Sequence, residues 1–248
     1  MHISIDSLLI ENRSSLARLE ETLGYTFVRP EYLQEALIHS SYAFEQAKSL
    51  DRDNEKLEFL GDAVLDLVVG FMLFQRYPKM QEGDLTRLRA ALVKESHLAQ
   101  MARDMELGSY LMLGKGEDAS KGRKKPSILS SAYEAVIGAV FLDGGYEVAA
   151  EVLKEHFSFR IEKRLETLHA SDSKSALQER LQEKFCEGPE YFLELEEGPD
   201  HAKTFVVSVR FRNVVLGVGK GRSKKEAEKL AAAAALEDLQ PAGLPDAP

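Results

Sequence analysis

Residues 54–77 read NEKLEFLGDAVLDLVVGFMLFQRY, and the reading of this stretch decides the fold. Leu57, Leu60, Val64, Leu65, Val68, Phe71 and Met72 recur at three- and four-residue steps, which predicts a core helix. Glu55, Glu58, Asp62 and Asp66 interrupt it at spacings of three, four and four. Those steps set the carboxylates on one side of the helix, one above the next per turn. Stacked like charges destabilise a helix, and a buried carboxylate is costly unless it is paired or bound to metal. A polar face turned to water is the bland explanation, yet the apolar positions leave only a narrow acidic stripe. A cation is the natural remedy. Oxygen donors with no His or Cys nearby favour Mg²⁺, with Mn²⁺ as a substitute.

Within this stretch, Glu55-Lys-Leu-Glu-Phe-Leu-Gly-Asp-Ala-Val-Leu65 resembles the signature of the ribonuclease III family, endonucleases that cleave double-stranded RNA. The resemblance implies that Glu58 and Asp62 are active-site acids. It also implies that Phe59 packs against the partner subunit of a homodimer. The runs Leu33–Tyr42 and Gln81–Leu92 resemble further parts of the same family, and through them Glu82 is expected as a supporting acid, as is Glu55.

Residues 128–142, ILSSAYEAVIGAVFL, form the second predicted helix of the site. Glu134 is the only acid between Asp118 and Asp143, and an ionised group in so apolar a helix needs a partner. By resemblance Glu134 is a metal-binding glutamate, catalytic together with Asp62. Three residues earlier the family usually has aspartate, whereas this chain has Ser131. That departure removes one negative ligand, and Ser131 is expected to reach a metal only through water.

The remaining elements of the first part are shorter predictions. Met1–Arg13 is an undistinguished lead-in, followed by helices over Ser14–Leu23 and Glu31–Ser40. His39 reads as a satisfied core histidine. Gly83 breaks the chain, so that Asp84 or Thr86 caps the next helix; Arg87 and Arg89 read as phosphate contacts or as ion-pair partners of the acidic stripe, and the second reading is favoured. Lys121, Arg123, Lys124 and Lys125 make a basic cluster that is either a solvated loop or a phosphate guide. A long helix over Glu147–Leu168 closes this part, and His169–Ser173 is small and polar, as a linker should be.

Beyond it the rhythm changes to helix, three strands, helix. Phe205, Val207, Val209 and Phe211 alternate on one face, and Ser223 is placed to cap an alanine-rich helix. This order resembles a double-stranded-RNA-binding domain. Matching positions imply RNA contacts at Gln178 and Gln182, at His201, and at Arg222, Lys224, Lys225 and Lys229. A helix N-terminus adds its positive dipole to those lysines. Such domains span about 16 base pairs and read shape, not sequence. The tail Pro241–Pro248 is expected to be disordered.

Composition agrees with a globular cytoplasmic protein: 44% of residues are apolar and 29% charged, with a single cysteine, Cys186. No signal peptide or membrane-spanning run is evident. The net charge of −9 argues against nucleic acid only if local basic clusters are ignored. Neither Gly114–Ala119 nor Gly217–Arg222 reads as a dinucleotide fingerprint, so no nucleotide cofactor is expected.

The reading is therefore a multidomain chain. An all-α ribonuclease III endonuclease domain over residues 14–168 precedes an α-β-β-β-α double-stranded-RNA-binding domain over residues 172–240. The implied activity is metal-dependent hydrolysis of RNA duplexes to 5′-phosphate ends with short 3′ overhangs, for processing ribosomal RNA precursors and other structured RNAs. A non-catalytic duplex-binding regulator is the rival, supported by Ser131 alone. A general nucleotide phosphohydrolase would leave the second domain unexplained.

Overall fold

The computed structural model describes residues 4–46, 50, 52–199 and 203–242, with side chains outside 166–172 and 239–242. The chain divides into two compact units, residues 1–161 and 162–248.

Among the described residues of the first unit every regular element is helical. Helix α1 spans Ile5–Leu23, so the helix starts nine residues before the predicted Ser14. Ser4 and Ser7 form a reciprocal cap at its start. Leu8 then joins Ile38, Ala43 and Leu50 in a small core, which makes the lead-in worth ordering. The predicted helix over Glu31–Ser40 is two helices, α2 (Pro30–Ala36) and α3 (Ser40–Glu45). Between them the chain is extended, because Leu37 and His39 exchange backbone hydrogen bonds with Met112 at 2.8 and 3.1 Å. His39 is no core histidine: its Nδ1 accepts from the Ser41 amide at 3.2 Å and caps α3.

Helix α4 (Glu55–Arg76) is the predicted acidic helix. The Asp53 carboxylate accepts the Glu55 amide at 3.1 Å, and buried Asn54 donates its own amide to Ile38 O at 2.8 Å, which anchors the start. Leu57, Val64, Leu65, Val68, Val69 and Leu73 are buried, but Phe71 lies outside the core. The helix presents three faces, not two. Phe59 (80% exposed), Leu67, Phe71 and Phe74 (68% exposed) make an apolar face turned away from the core.

Helix α5 spans Glu82–Val93 and α6 spans Glu95–Asp104. Gly83 does not break the chain, since Gln81 sits at the N-cap and Gly83 continues the first turn. Residues 115–125 are not an open loop. They contain a one-turn helix α7 (Lys115–Ala119) and a 3₁₀ turn (Gly122–Lys124). Arg123 bonds Asp118 at 2.8 Å and the carbonyls of Gly108 and Leu111 at 3.1 and 2.5 Å, while Lys125 bonds Glu117 at 2.6 Å. Only Lys121 and Lys124 of the expected cluster remain exposed to solvent without an ion pair to a described residue.

The helical run α8 covers Pro126–Phe185 and is divided at Gly145, whose φ of 78° and ψ of −171° are not helical. Just before the bend, Asp143 accepts the Tyr25 hydroxyl at 2.7 Å and the amides of Val28 and Arg29 at 2.7 and 2.9 Å. That clasp holds the first part of α8 against the loop after α1. Residues 169–173, expected as a linker, continue the helix.

In the second unit Leu177 and Leu181 from the end of α8 pack on Val209, Phe211, Ala231, Ala232 and Ala235. Strands β1 (Glu190–Glu197), β2 (Thr204–Phe211) and β3 (Val214–Gly221) form an antiparallel sheet in that order, and α9 (Lys224–Ala242) covers it. Arg212 and Asn213 are both left-handed, as the two-residue β2–β3 turn requires. Glycines explain how close α9 lies: a Cβ on Gly217 or Gly219 would come within 2.5 or 2.3 Å of α9 backbone oxygens. The order matches the predicted α-β-β-β-α domain. Pro241 and Ala242 belong to α9, whereas the rest of the tail and His201 lie outside the described residues.

Candidate active site

Two helices build the site, and two glycines set their separation. A Cβ on Gly61 of α4 would lie 1.7 Å from the Glu134 carbonyl oxygen, and one on Gly138 of α8 would lie 2.2 Å from Leu57 O. The backbones therefore touch where the helices cross. Gly61 precedes Asp62, and Gly138 stands one turn beyond Glu134, so the crossing carries the acids of both helices to the same place. Reasoning from sequence overlooked this pair. The available signal was an isolated glycine in each of two otherwise strong helices, a position that costs about 1 kcal/mol without a packing reason.

Around the crossing stand Glu58, Asp62, Ser131 and Glu134. Burial first, then the negative charges of Asp62 and Glu58, push the Glu134 carboxyl up from 4.5 to about 7. The Ser131 hydroxyl donates to Glu58 Oε1 at 2.9 Å across 73 residues of sequence. Asp66, further along α4, leaves this group: its carboxylate faces Arg89 at 3.6 Å. Arg89 is thus the predicted partner of the stripe, but Arg87 pairs at 2.5 Å with Asp84 of its own helix. Glu55 is exposed at the start of α4. Glu82 accepts the Thr86 hydroxyl at 2.9 Å and lines a groove with Asp66, Phe71, Phe74 and Arg89.

A half-buried carboxyl pushed up by neighbouring negative charge, as Glu134 is, suits a site that a cation would relieve. Among the described residues, however, no group of three or more His, Cys, Asp or Glu side chains is placed to hold a metal ion. Mg²⁺ keeps several of its waters and takes only one or two carboxylates, so its binding does not require three acids gathered beforehand around one point.

The second unit presents a different chemistry. Gln178 and Gln182 are exposed one turn apart on α8, flanking buried Leu177 and Leu181. At the start of α9 the Ser223 hydroxyl accepts the Glu226 amide at 3.2 Å, and Glu226 accepts the Arg222 amide at 2.7 Å, so both ends of the first turn are capped. Arg222, Lys224 and Lys225 are exposed there, with half-buried Lys229 one turn on. Lys224 faces Glu196 at 3.6 Å, whereas Lys225 and Lys229 form no ion pair with a described residue.

Known proteins match both halves. A family model described as Ribonuclease-III-like matches residues 29–160, and one described as double-stranded RNA binding motif matches residues 173–239. The chain is 57% identical over 240 residues to Ribonuclease 3 of Desulfotalea psychrophila, covering 97% of this chain and 99% of that one. It is 46% identical over 228 residues to Ribonuclease 3 of Bacillus cereus, covering 92% and 93%. The crystal structure of the ribonuclease III nuclease domain from Campylobacter jejuni aligns with a TM-score of 0.53 at 44% identity, over 59% of this chain and 93% of that one. A second structure of the Campylobacter domain, with the same TM-score of 0.53, concerns flexibility in a region involved in dimer formation. With a helical nuclease unit ahead of a duplex-RNA-binding motif, and relatives matched along nearly its whole length, the chain belongs to the ribonuclease III family of double-stranded-RNA endoribonucleases.

Proposed function

We propose that this endoribonuclease hydrolyses duplex RNA with Mg²⁺ held by Glu58, Asp62 and Glu134, and that Mn²⁺ can replace it. The observation that carries the reading is Glu134, whose carboxyl is raised to about 7 by burial and by Asp62 and Glu58 on the crossing helix. A divalent cation held there would supply an acidified water as nucleophile and positive charge beside the leaving oxygen. The protein residues supply position. Gly61 and Gly138 bring the two helices to backbone contact, and the carboxylates of α4 and α8 then converge from two directions. Glu55 and Glu82 stand further out as supporting acids.

The second domain supplies affinity, through Gln178, Gln182, Arg222, Lys224, Lys225 and Lys229, with His201, which lies between β1 and β2 in sequence. Lys121 and Lys124 on the first unit can guide phosphates toward the site. Phe59, Leu67, Phe71 and Phe74 form the contact face of a homodimer, since an apolar helix face of this kind is costly in water. Two such sites cut both strands, leaving 5′-phosphate ends with short 3′ overhangs, in ribosomal RNA precursors and other structured RNAs of the cytoplasm. In keeping with this, no described helix is long and apolar enough to cross a membrane.

The test is incubation of a long RNA duplex with the parent protein and with Glu134→Ala, in Mg²⁺ and in EDTA. Cleavage is expected only from the parent in Mg²⁺, while the variant retains duplex binding. Normal cleavage by Glu134→Ala would sink the site assignment.

A further inference from the structure

We infer that Ser131 is a positioning residue that holds the Glu58 carboxylate in place before a cation arrives, and is not itself a cation ligand. The two neighbouring serines of α8 behave differently, and the contrast carries the argument. A serine inside a helix commonly turns its hydroxyl to a carbonyl of the preceding turn. Ser130 does this, donating to Ser127 O at 3.0 Å. Ser131 instead reaches off its own helix and donates to Glu58 Oε1 at 2.9 Å. Its single proton is committed to that oxygen, which leaves the other oxygen of Glu58 for a cation.

Three features make the contact matter. Ser131 stands one turn before Glu134, so it joins α8 to α4 at the level where the acids meet. Both Ser131 and Glu58 are half-buried, so water competes weakly for the bond. Glutamate also has several rotatable bonds, and a carboxylate held in advance has less freedom left to lose when an ion binds. Hydrogen-bond partners behind ligating carboxylates act in this way generally. A carboxylate at position 131 would do the opposite without an ion: it would face Glu58 as a like charge across the same gap.

The inference rests on the assignment of Glu58 as a cation ligand, and the experiment separates the two. Mn²⁺ is titrated calorimetrically into the full-length, metal-free parent and into Ser131→Ala, Ser131→Thr and Glu134→Gln, in the absence of RNA. Ser131→Ala is expected to weaken Mn²⁺ binding roughly tenfold, and Ser131→Thr, which keeps a hydroxyl, to restore most of it. In cleavage assays the half-saturating Mg²⁺ of Ser131→Ala rises, and its deficit shrinks as Mg²⁺ is increased. Parent-like Mn²⁺ affinity in Ser131→Ala, with Glu134→Gln impaired, overturns the inference alone. A deficit that stays constant up to saturating Mg²⁺ also overturns it, because the hydroxyl would then take part in the chemistry. A parent that binds no Mn²⁺ overturns the site assignment and this inference with it.

Discussion

Replacing Glu134 by glutamine keeps the shape of the side chain and removes its charge, so it measures what the metal-free fold spends on that carboxylate. Burial, then Asp62 and Glu58, raise the Glu134 carboxyl from 4.5 to about 7. Because the folded value lies above the unfolded one, the unfolded chain releases this proton first. Stability is therefore full below about pH 4.5, falls as pH rises to about 7, and is level above that. The rise corresponds to at most about 3 kcal/mol, and because Glu134 is partly open to solvent, screening brings it to about 1–2 kcal/mol. In EDTA at pH 8, Glu134→Gln should then unfold roughly 2–6 °C above the parent, for a unit of this size. Near pH 4.5 the two should coincide. Added Mg²⁺ should raise the parent's unfolding temperature and leave the variant's almost unchanged, since only the parent gains a ligand that binds the folded state. Thermal unfolding followed by circular dichroism between pH 4.5 and 8 is the assay. A variant no more stable than the parent at pH 8 in EDTA would refute the claim that uncompensated charge is concentrated at Glu134.

Gly61→Ala places a methyl against the Glu134 carbonyl, where 1.7 Å is available, so the helices must separate; a loss of about 1–3 kcal/mol in urea unfolding is expected, with cleavage impaired. Phe74→Glu puts a charge in the exposed apolar face of α4, and sedimentation should show a monomer with unchanged helicity; a persistent dimer would place the contact elsewhere. Lys225→Ala and Lys229→Ala should each lower the salt dependence of duplex binding by about one unit of slope, without changing which duplexes are preferred.

Much of this molecule is local and was therefore open to reading from sequence. The acidic helix, the apolar helix carrying Glu134 and the helix–strands–helix order of the second unit rest on periodicity and on caps such as Ser223, which need no distant partner. Other features depend on contacts that no window of sequence contains. Helix α4 is apolar nearly all round, so its pattern could not say that Phe71 would stay outside while Leu73 went in. The predicted helix through Ser40 ends early because Met112 offers backbone hydrogen bonds to Leu37 and His39. Arg87 and Arg89 were indistinguishable until one faced Asp84 and the other Asp66. Likewise Arg123 and Lys125 looked like free cations, but the fold occupies them with Asp118 and Glu117. Composition and motif alone determined which acids this chain possesses and which family chemistry they suit. Tertiary structure decided which of them meet, since the crossing at Gly61 and Gly138 and the bond from Ser131 to Glu58 join segments more than 70 residues apart.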